Sequence, residues 1–400
     1  MAIKAETELE LDTINVGIFG HIDHGKTTLL ERLSGKWTDT HSEEMKRGIT
    51  IKLGYADIII YKDNEKYNIE GKGKPIRHVS FIDSPGHEML MATTLSGAAL
   101  IDAAILVIAA NEGIKPQTRE HLMVLQTKNV ENIIIIQNKI DLVTIDQAKK
   151  NHQEIKELLG EKYKNSPVIP VSAQQQVNIG AILKAITELP APKRNPSSDP
   201  VFVIARSFDI NRPGTIPNDL HGAVLGGTLK KGTLKVGDEI EIKPGRAIKN
   251  EKETTYTTLK TKVKSLLKGS KHVKELTPGG SMSIETELDM SLGKGDILAG
   301  NVVSHIGKLP EPTRHVKLKS TLFPKVLGIG GEKEVEKIKQ GEILMLSINT
   351  TITGGAVTSI KGNDLELSLK IPAIIFKGDN VGIARNITGH WRLIGYGEIL

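Results

Sequence analysis

The chain of 400 residues has no cysteine. Disulfides, zinc–thiolate sites and cysteine nucleophiles are therefore excluded. It also lacks any apolar run near the roughly 20 residues that a membrane-spanning helix needs. Its most apolar stretches, Ala103–Ala110 and Ile133–Ile136, are short enough to be buried strands. Met1–Leu11 is polar and acidic, unlike a signal peptide. These absences point to a cytoplasmic protein with no membrane partner. A strong charge imbalance is missing too: 53 Lys and Arg stand against 47 Asp and Glu, a net charge of +6. That mild excess suits a polyanionic partner and equally a lysine-rich solvated surface. With 38% hydrophobic and 25% charged residues of mixed sign, the composition is that of packed cores, in two or three domains at this length.

From Asn15 to about Pro190 short apolar runs alternate with helical stretches. Strands are expected at Ile14–Phe19, Ala56–Ile60, Val79–Ile82, Ala103–Ala109, Ile133–Gln137 and Val168–Val171. Helices are expected at Lys26–Leu33, Met89–Gly97, Thr118–Lys128, Gln147–Leu159 and Ile179–Glu188. Such alternation implies a mostly parallel sheet with helices on both faces. Leu189–Pro200 (LPAPKRNPSSDP) reads as a linker. Beyond it helical periodicity nearly vanishes, and short alternating runs broken by glycine suggest β-barrels. Leu365, Leu367, Leu369 and Ile371, alternating with Glu366, Ser368 and Lys370, mark one half-buried strand. Leu309–Thr313 (LPEPT) divides this region. The expected organisation is an α/β domain over 1–195, a β-barrel over 200–308 and a second β-barrel over 309–400.

Gly20–Thr27 reads GHIDHGKT, matching G-x-x-x-x-G-K-[ST] between a strand and a helix. In that context backbone N–H groups and the helix N-terminus face phosphate oxygens. Gly20, Asp23, His24, Gly25, Lys26, Thr27 and Thr28 form the expected phosphate loop. Lys26 would reach the β- and γ-phosphates and Thr27 would ligate Mg²⁺. Asp23 either adds a carboxylate near that ion or faces solvent. Asp83-Ser-Pro-Gly86 matches D-x-x-G: Asp83 would act on Mg²⁺ through water, and the Gly86 N–H on the γ-phosphate. Asn138-Lys139-Ile-Asp141 matches N-K-x-D. Asp141 can accept from guanine N1 and N2, a donor pair that adenine lacks, so ATP would leave a carboxylate unpaired. Ser172-Ala173 fits the loop that closes over the base. Four elements in this order, each at a strand's end, define a GTP/GDP site.

Arg47-Gly48-Ile49-Thr50 resembles the first switch of translational GTPases, with Thr50 completing Mg²⁺ coordination only with GTP. Asp83-Ser-Pro-Gly-His87 resembles their D-x-P-G-H, which makes His87 the candidate catalytic residue that positions water. Lys46–Asp57, Asp83–Leu100, Ile133–Leu142, Ala205–Thr215, Gly222–Gly227 and His390–Gly397 are similar to the gamma subunits of archaeal and eukaryotic translation initiation factor 2. The resemblance covers nearly the whole chain. It implies a GTPase, slow without activation, that carries methionyl initiator tRNA to the small ribosomal subunit. It also implies a heterotrimer, with an alpha subunit on the second domain and a beta subunit on the first. The alternative is an elongation-type GTPase delivering another aminoacyl-tRNA, such as selenocysteinyl-tRNA. The end of the chain at Leu400 speaks against that, because the selenocysteine factor usually carries a C-terminal extension.

One departure concerns metal. Many gamma subunits carry a cysteine zinc knuckle between the switches, whereas Tyr61–His78 has no cysteine and one histidine. No zinc is expected, and a plain hairpin turning near Gly71–Pro75 is. Finally, 243–274 holds ten Lys or Arg against two Glu. Lys260, Lys262 and Lys264 would share one strand face. They form either a phosphate-tracking stripe or the solvated face of a hairpin that blunts a sheet edge. No aromatic is interleaved among the three for base stacking.

Overall fold

The computed structural model describes residues 11–35, 53–85, 90–249, 254–326 and 333–400. The first part of the chain forms a seven-stranded sheet. Its strands are β1 (Thr13–Gly20), β2 (Gly54–Asp63), β3 (Lys66–Asn68), β4 (Lys74–Asp83), β5 (Ala103–Ala109), β6 (Asn132–Asn138) and β7 (Val168–Pro170). The order across the sheet is β3-β2-β4-β1-β5-β6-β7. The run from β4 to β7 is parallel, and β2 and β3 are antiparallel additions at one edge. All seven residues of β5 are buried, as a strand covered on both faces must be.

Among the described residues five helices do the covering: α1 (Lys26–Ser34), α2 (Met91–Ala98), α3 (Pro116–Thr127), α4 (Ile145–Tyr163) and α5 (Ile179–Glu188). Strand alternation sorts them. Ile14, Val16 and Ile18 of β1 pack with Leu29, Leu30 and Leu33 of α1 and Ile182, Leu183 and Ile186 of α5. Phe19 points the other way, into a cluster with Leu95 of α2, Leu122 and Leu125 of α3, and Ile155 and Leu159 of α4. Helix α4 starts where its sequence says it should. Thr144 Oγ1 accepts from the Gln147 N–H at 3.3 Å, and Gln147 Oε1 accepts from the Thr144 N–H at 2.9 Å, a capping box.

The segment Tyr61–His78 differs from the expected single hairpin. The chain first reverses tightly at Asn64–Glu65, where Asn64 takes φ +53°, so that β3 pairs on the outer edge of β2. The chain then crosses through Gly71 and Gly73 to the inner edge of β2, where β4 also runs antiparallel to it, with Tyr61 opposite Pro75. Asx-type residues tolerate the left-handed backbone almost as glycine does, which is why Asn64 supports the earlier turn.

Beyond Pro200 the structure is antiparallel β. Strands Glu239–Lys249, Val302–His305, Val201–Phe208, Val224–Lys231, Met282–Thr286 and Thr254–Lys268 are neighbours in that order, and the last pairs with the first to close a ring. Thr313–Leu322, Asp364–Ala373, Thr351–Lys361, Ile343–Ile348, Asn380–Ile387 and His390–Ile399 form a second closed barrel. In it Leu365, Leu367 and Leu369 are buried and Lys370 is exposed, following the alternation in the sequence. In the first barrel Lys260, Lys262 and Lys264 are all exposed on one strand face. Lys264 lies 3.3 Å from Glu285, and Lys262 stands opposite Glu239 in register, contacts that suit the solvated-face reading.

Both barrels pack on the sheet domain. Met345, Ala384 and Leu393 of the second barrel enter the cluster around α2 and α3. Arg392 Nη1 donates to Glu120 Oε1 of α3 at 3.0 Å, with both side chains buried. Asn15, near the start of β1, ties in the first barrel: its Nδ2 donates to Thr228 Oγ1 at 3.2 Å and its Oδ1 accepts from the Gly280 N–H at 2.7 Å.

Candidate nucleotide site

The C-terminal ends of the parallel strands gather the motif residues, the place where open α/β sheets bind ligands. Gly20 ends β1 with φ +137°, and a Cβ there would lie 2.3 Å from the Val107 carbonyl of β5. The turn into the loop therefore requires glycine. Gly25 precedes α1 with φ +87°, where a Cβ would meet Asn138 Nδ2 at 2.5 Å. Gly25, the N-cap of α1, offers no side chain to cap the helix, and the N-terminus of α1 meets the end of the loop. Between these glycines Asp23 is exposed and left-handed, with φ 62°. His24 is fully buried.

Lys26 is buried at the head of α1 and its ammonium arches back to donate to the His21 carbonyl at 2.8 Å. Thr27 Oγ1 donates to Asp83 Oδ2 at 3.4 Å, and Asp83 is fully buried at the end of β4. Thr28 is half-buried on α1. Asn138, the last residue of β6, joins two loops. Its Nδ2 donates to the His24 carbonyl at 2.9 Å, and its Oδ1 accepts from the Ala173 N–H at 3.0 Å. Ser172 is buried, its Oγ accepting from the Gln175 N–H at 3.2 Å. Lys139 takes a left-handed backbone, φ 59°, and Asp141 follows it exposed in a short 3₁₀ turn. Thus the phosphate loop, Asp83, Asn138, Lys139, Asp141, Ser172 and Ala173 lie around one edge of the sheet. Thr50, Gly86 and His87 fall outside the described residues.

Two side chains in this shell escaped the motif reading. His121 of α3 is buried, and its Nδ1 accepts from the Gly20 N–H at 2.9 Å, which requires the Nε2–H tautomer. Glu112, just past β5, receives Lys139 Nζ at 3.2 Å and faces His24 Nε2 at 3.8 Å. Burial, reinforced by His21, pushes the His24 pKa down to about 4, so the ring is neutral near pH 7. Burial, with Lys26 and His21 beside it, pushes His121 down to about 3. Burial alone would raise Glu112, but Lys139, His24 and Lys115 outweigh it and hold the carboxyl below its ordinary range. Glu112 could have been found from the rule that ligands sit beyond strand ends. His121 carries no sequence signal, since its role depends on where α3 crosses β1.

Residues 11–192 match the family model described as elongation factor Tu GTP binding domain, and 314–399 match that described as initiation factor eIF2 gamma, C terminal. The translation initiation factor 2 subunit gamma of Archaeoglobus fulgidus is 49% identical over 414 residues, covering 100% of this chain and 97% of that protein. The chain belongs to the family of translation initiation factor 2 gamma subunits. The Pyrococcus furiosus member is 48% identical, with 96% of this chain and 97% of that one covered. Among solved structures, a bacterial selenocysteine-specific elongation factor superposes with a TM-score of 0.77 at 24% identity. The match covers 97% of this chain and only 58% of that one, a likeness of fold alone. The GTP-analogue complex of elongation factor SelB from Methanococcus maripaludis gives a TM-score of 0.73 at 24% identity over 98% of this chain. As a gamma-family member the chain is a GTP-binding initiation factor of the translational GTPase class, built as a parallel-sheet GTPase domain and two β-barrels. No helix among the described residues is long and apolar enough to cross a membrane.

Proposed function

We propose that the chain binds GTP and GDP at this edge of the sheet and, with GTP, carries methionyl initiator tRNA to the small ribosomal subunit. The observation that carries the nucleotide half is Asn138, one side chain that holds the phosphate loop through His24 and the base-closing loop through Ala173. Gly20–Thr28 then cradles the phosphates, Asp141 reads guanine, and Lys139 flanks the base with its ammonium fixed by Glu112. The tRNA half is supported by family membership.

Hydroxyl and carboxylate oxygens from Thr27 and Asp83 are hard donors that suit Mg²⁺. Thr27 and Thr50 would hold the ion directly, Asp83 through water, and Asp23 is a further candidate. Bound there, Mg²⁺ would neutralise phosphate charge. Thr50 and the Gly86 N–H serve as γ-phosphate sensors, since a ligand shifts a conformational equilibrium only through contacts that differ between states. His87 positions the attacking water. Hydrolysis is slow without an activating partner, because no arginine finger is evident within the motifs, and it releases the factor. An alpha subunit docks on 200–308 and a beta subunit on 1–195, with 309–400 completing a three-domain chain in the cytoplasm. No zinc is expected at Tyr61–His78: His78 faces Asp57 at 3.6 Å and Thr13 Oγ1 at 3.4 Å, an internal polar contact.

Filter binding of initiator and elongator aminoacyl-tRNAs with GTP and with GDP tests this. Retention of the methionyl initiator with GTP alone is the expected result. Equal retention of an elongator would point to an elongation-type carrier, and indifference to the nucleotide would refute the switch.

A further inference from the structure

A cavity of about 350 Å³ lies where the sheet domain and both barrels meet. Three cationic side chains line it, Lys128 just past α3, Arg194 from the linker and Lys230 from the first barrel, with Asp102, Asp379 and Asn349. The two carboxylates are already engaged. Asp102 Oδ2 pairs with Arg194 and accepts the Asn15 N–H at 2.8 Å. Asp379 Oδ2 accepts from Asn349 Nδ2 at 3.2 Å. The lysines, by contrast, meet only neutral acceptors at hydrogen-bond range. Lys128 Nζ donates to the Ser347 and Asn380 carbonyls at 2.9 and 3.4 Å, and Lys230 Nζ to Asn349 Oδ1 at 3.1 Å. Neither ammonium has a carboxylate within 4.0 Å among the described residues. Three basic side chains thus face two carboxylates around one space, and the two lysines are the ones with no carboxylate at hydrogen-bond range among the described residues.

We propose that this junction is a binding site for a small tetrahedral oxyanion of the phosphate class. The cavity has room for roughly a dozen waters at about 30 Å³ each, hence for such an anion with part of its hydration. An anion there would be held by ammonium groups from two of the three units and so would strengthen their docking, because binding only the assembled arrangement stabilises it. Burial supports the assignment. It pushes Lys128 down to about 7, with Lys230 adding repulsion and Asp379 opposing it, and holds Lys230 below its ordinary range against the pull of Asp379 and Asp102. An anion favours the charged forms, so binding takes up protons and tightens as pH falls towards 7.

The test uses the full chain saturated with a non-hydrolysable GTP analogue and Mg²⁺, which fills the nucleotide site through the γ-phosphate, and titrates it calorimetrically with sulfate, a probe that does not itself titrate near neutrality, and with inorganic phosphate. One saturable site is expected for both, with proton uptake at pH 7.5. Lys128→Met and Lys230→Met should each weaken it at least tenfold while keeping GDP affinity, and Lys149→Met, exposed on α4, should not change it. A second measurement needs no variant: sulfate should slow acylation of Lys128 and Lys230 several-fold in the wild-type chain and leave Lys149 unaffected. Absence of saturable binding, equal binding by the variants, or uniform acylation rates with and without sulfate would overturn the proposal.

Discussion

Strand β1 has two ends with opposite fates. At its C-terminal end Gly20 opens the loop that runs to α1, which Asn138 holds through the His24 carbonyl. Near its N-terminal end Asn15 spends its side chain inward, on Leu100 of the same domain and on Thr228 and Gly280 of the first barrel. The first end is made of contiguous motif residues held by glycines and by Asn138. Contacts with the linker and the barrels come instead from single residues scattered through 400 positions, Asn15, Asp102, Glu120, Lys128, Arg194 and Arg392, that find partners only in the folded chain. The motif residues are thus concentrated at one edge of the sheet, and the contacts that join the three units are distributed along the chain.

If the two regions are separable, changes at the nucleotide edge should alter selectivity and hydrolysis without loosening the barrels. The largest effect is expected at Asp141. Asp141→Asn should reverse guanosine over xanthosine preference, since rejection of a ligand that leaves a buried polar group unpaired reaches on the order of 10⁴-fold. Competition between GTP and XTP measures it, and unchanged GTP selectivity would remove Asp141 from the base site. Next comes His87→Ala, which should slow stimulated hydrolysis by roughly 10²–10⁴-fold, the usual worth of a positioned catalytic group. Single-turnover assays should find nucleotide affinity nearly intact; an unaltered rate would send the search for the water-positioning group elsewhere.

The distributed region breaks differently. Glu120 and Arg392 are about 4% and 3% exposed, and they link α3 to the second barrel. Removing one member leaves a buried charge, so Arg392→Met should cost about 3–5 kcal/mol, and the Glu120→Leu/Arg392→Met pair far less. Chemical denaturation of the three variants checks this, with GDP affinity as the control that should stay fixed. The smallest effect is on pH dependence. His24 and His121 are neutral in the folded protein, at about 4 and about 3, against 6.5 when unexposed to such burial. Their contribution is therefore fully present above pH 6.5 and is lost as pH falls towards the folded values, by about 1.4 kcal/mol per pH unit for each ring. His21 and His78, also held low by burial first, add in the same sense. Denaturation midpoints should fall between pH 6.5 and 5, and a flat profile would contradict the neutral rings.

This division also explains what was legible in the residues. Gly20, Lys26, Asp83, Asn138 and Ser172 could be assigned because each sits within a few residues of its motif partners and at the end of an apolar run. The leucine alternation at 365–369 announced a barrel strand because a pleated strand sorts its faces by residue parity. His121 and the Glu120–Arg392 pair could not be foreseen. Their partners lie far away in sequence, and only the crossing of α3 over the sheet brings them together. The Asn64 turn was hidden for a local reason, since two glycines further on offered the more conspicuous reversal. Thr50 and His87 rest on family resemblance and Gly86 on its motif, and the test of all three lies in solution.

The account stands most directly on Thr50 and the nucleotide it senses. Initiator tRNA binding should be measured by protection of its ester bond from hydrolysis, for the wild-type chain and Thr50→Ala, each with GTP and with GDP. The expected result is strong protection by the wild type with GTP alone, and in the variant a loss of that protection with GDP affinity nearly unchanged. Full GTP-dependent protection by Thr50→Ala would contradict the proposed switch.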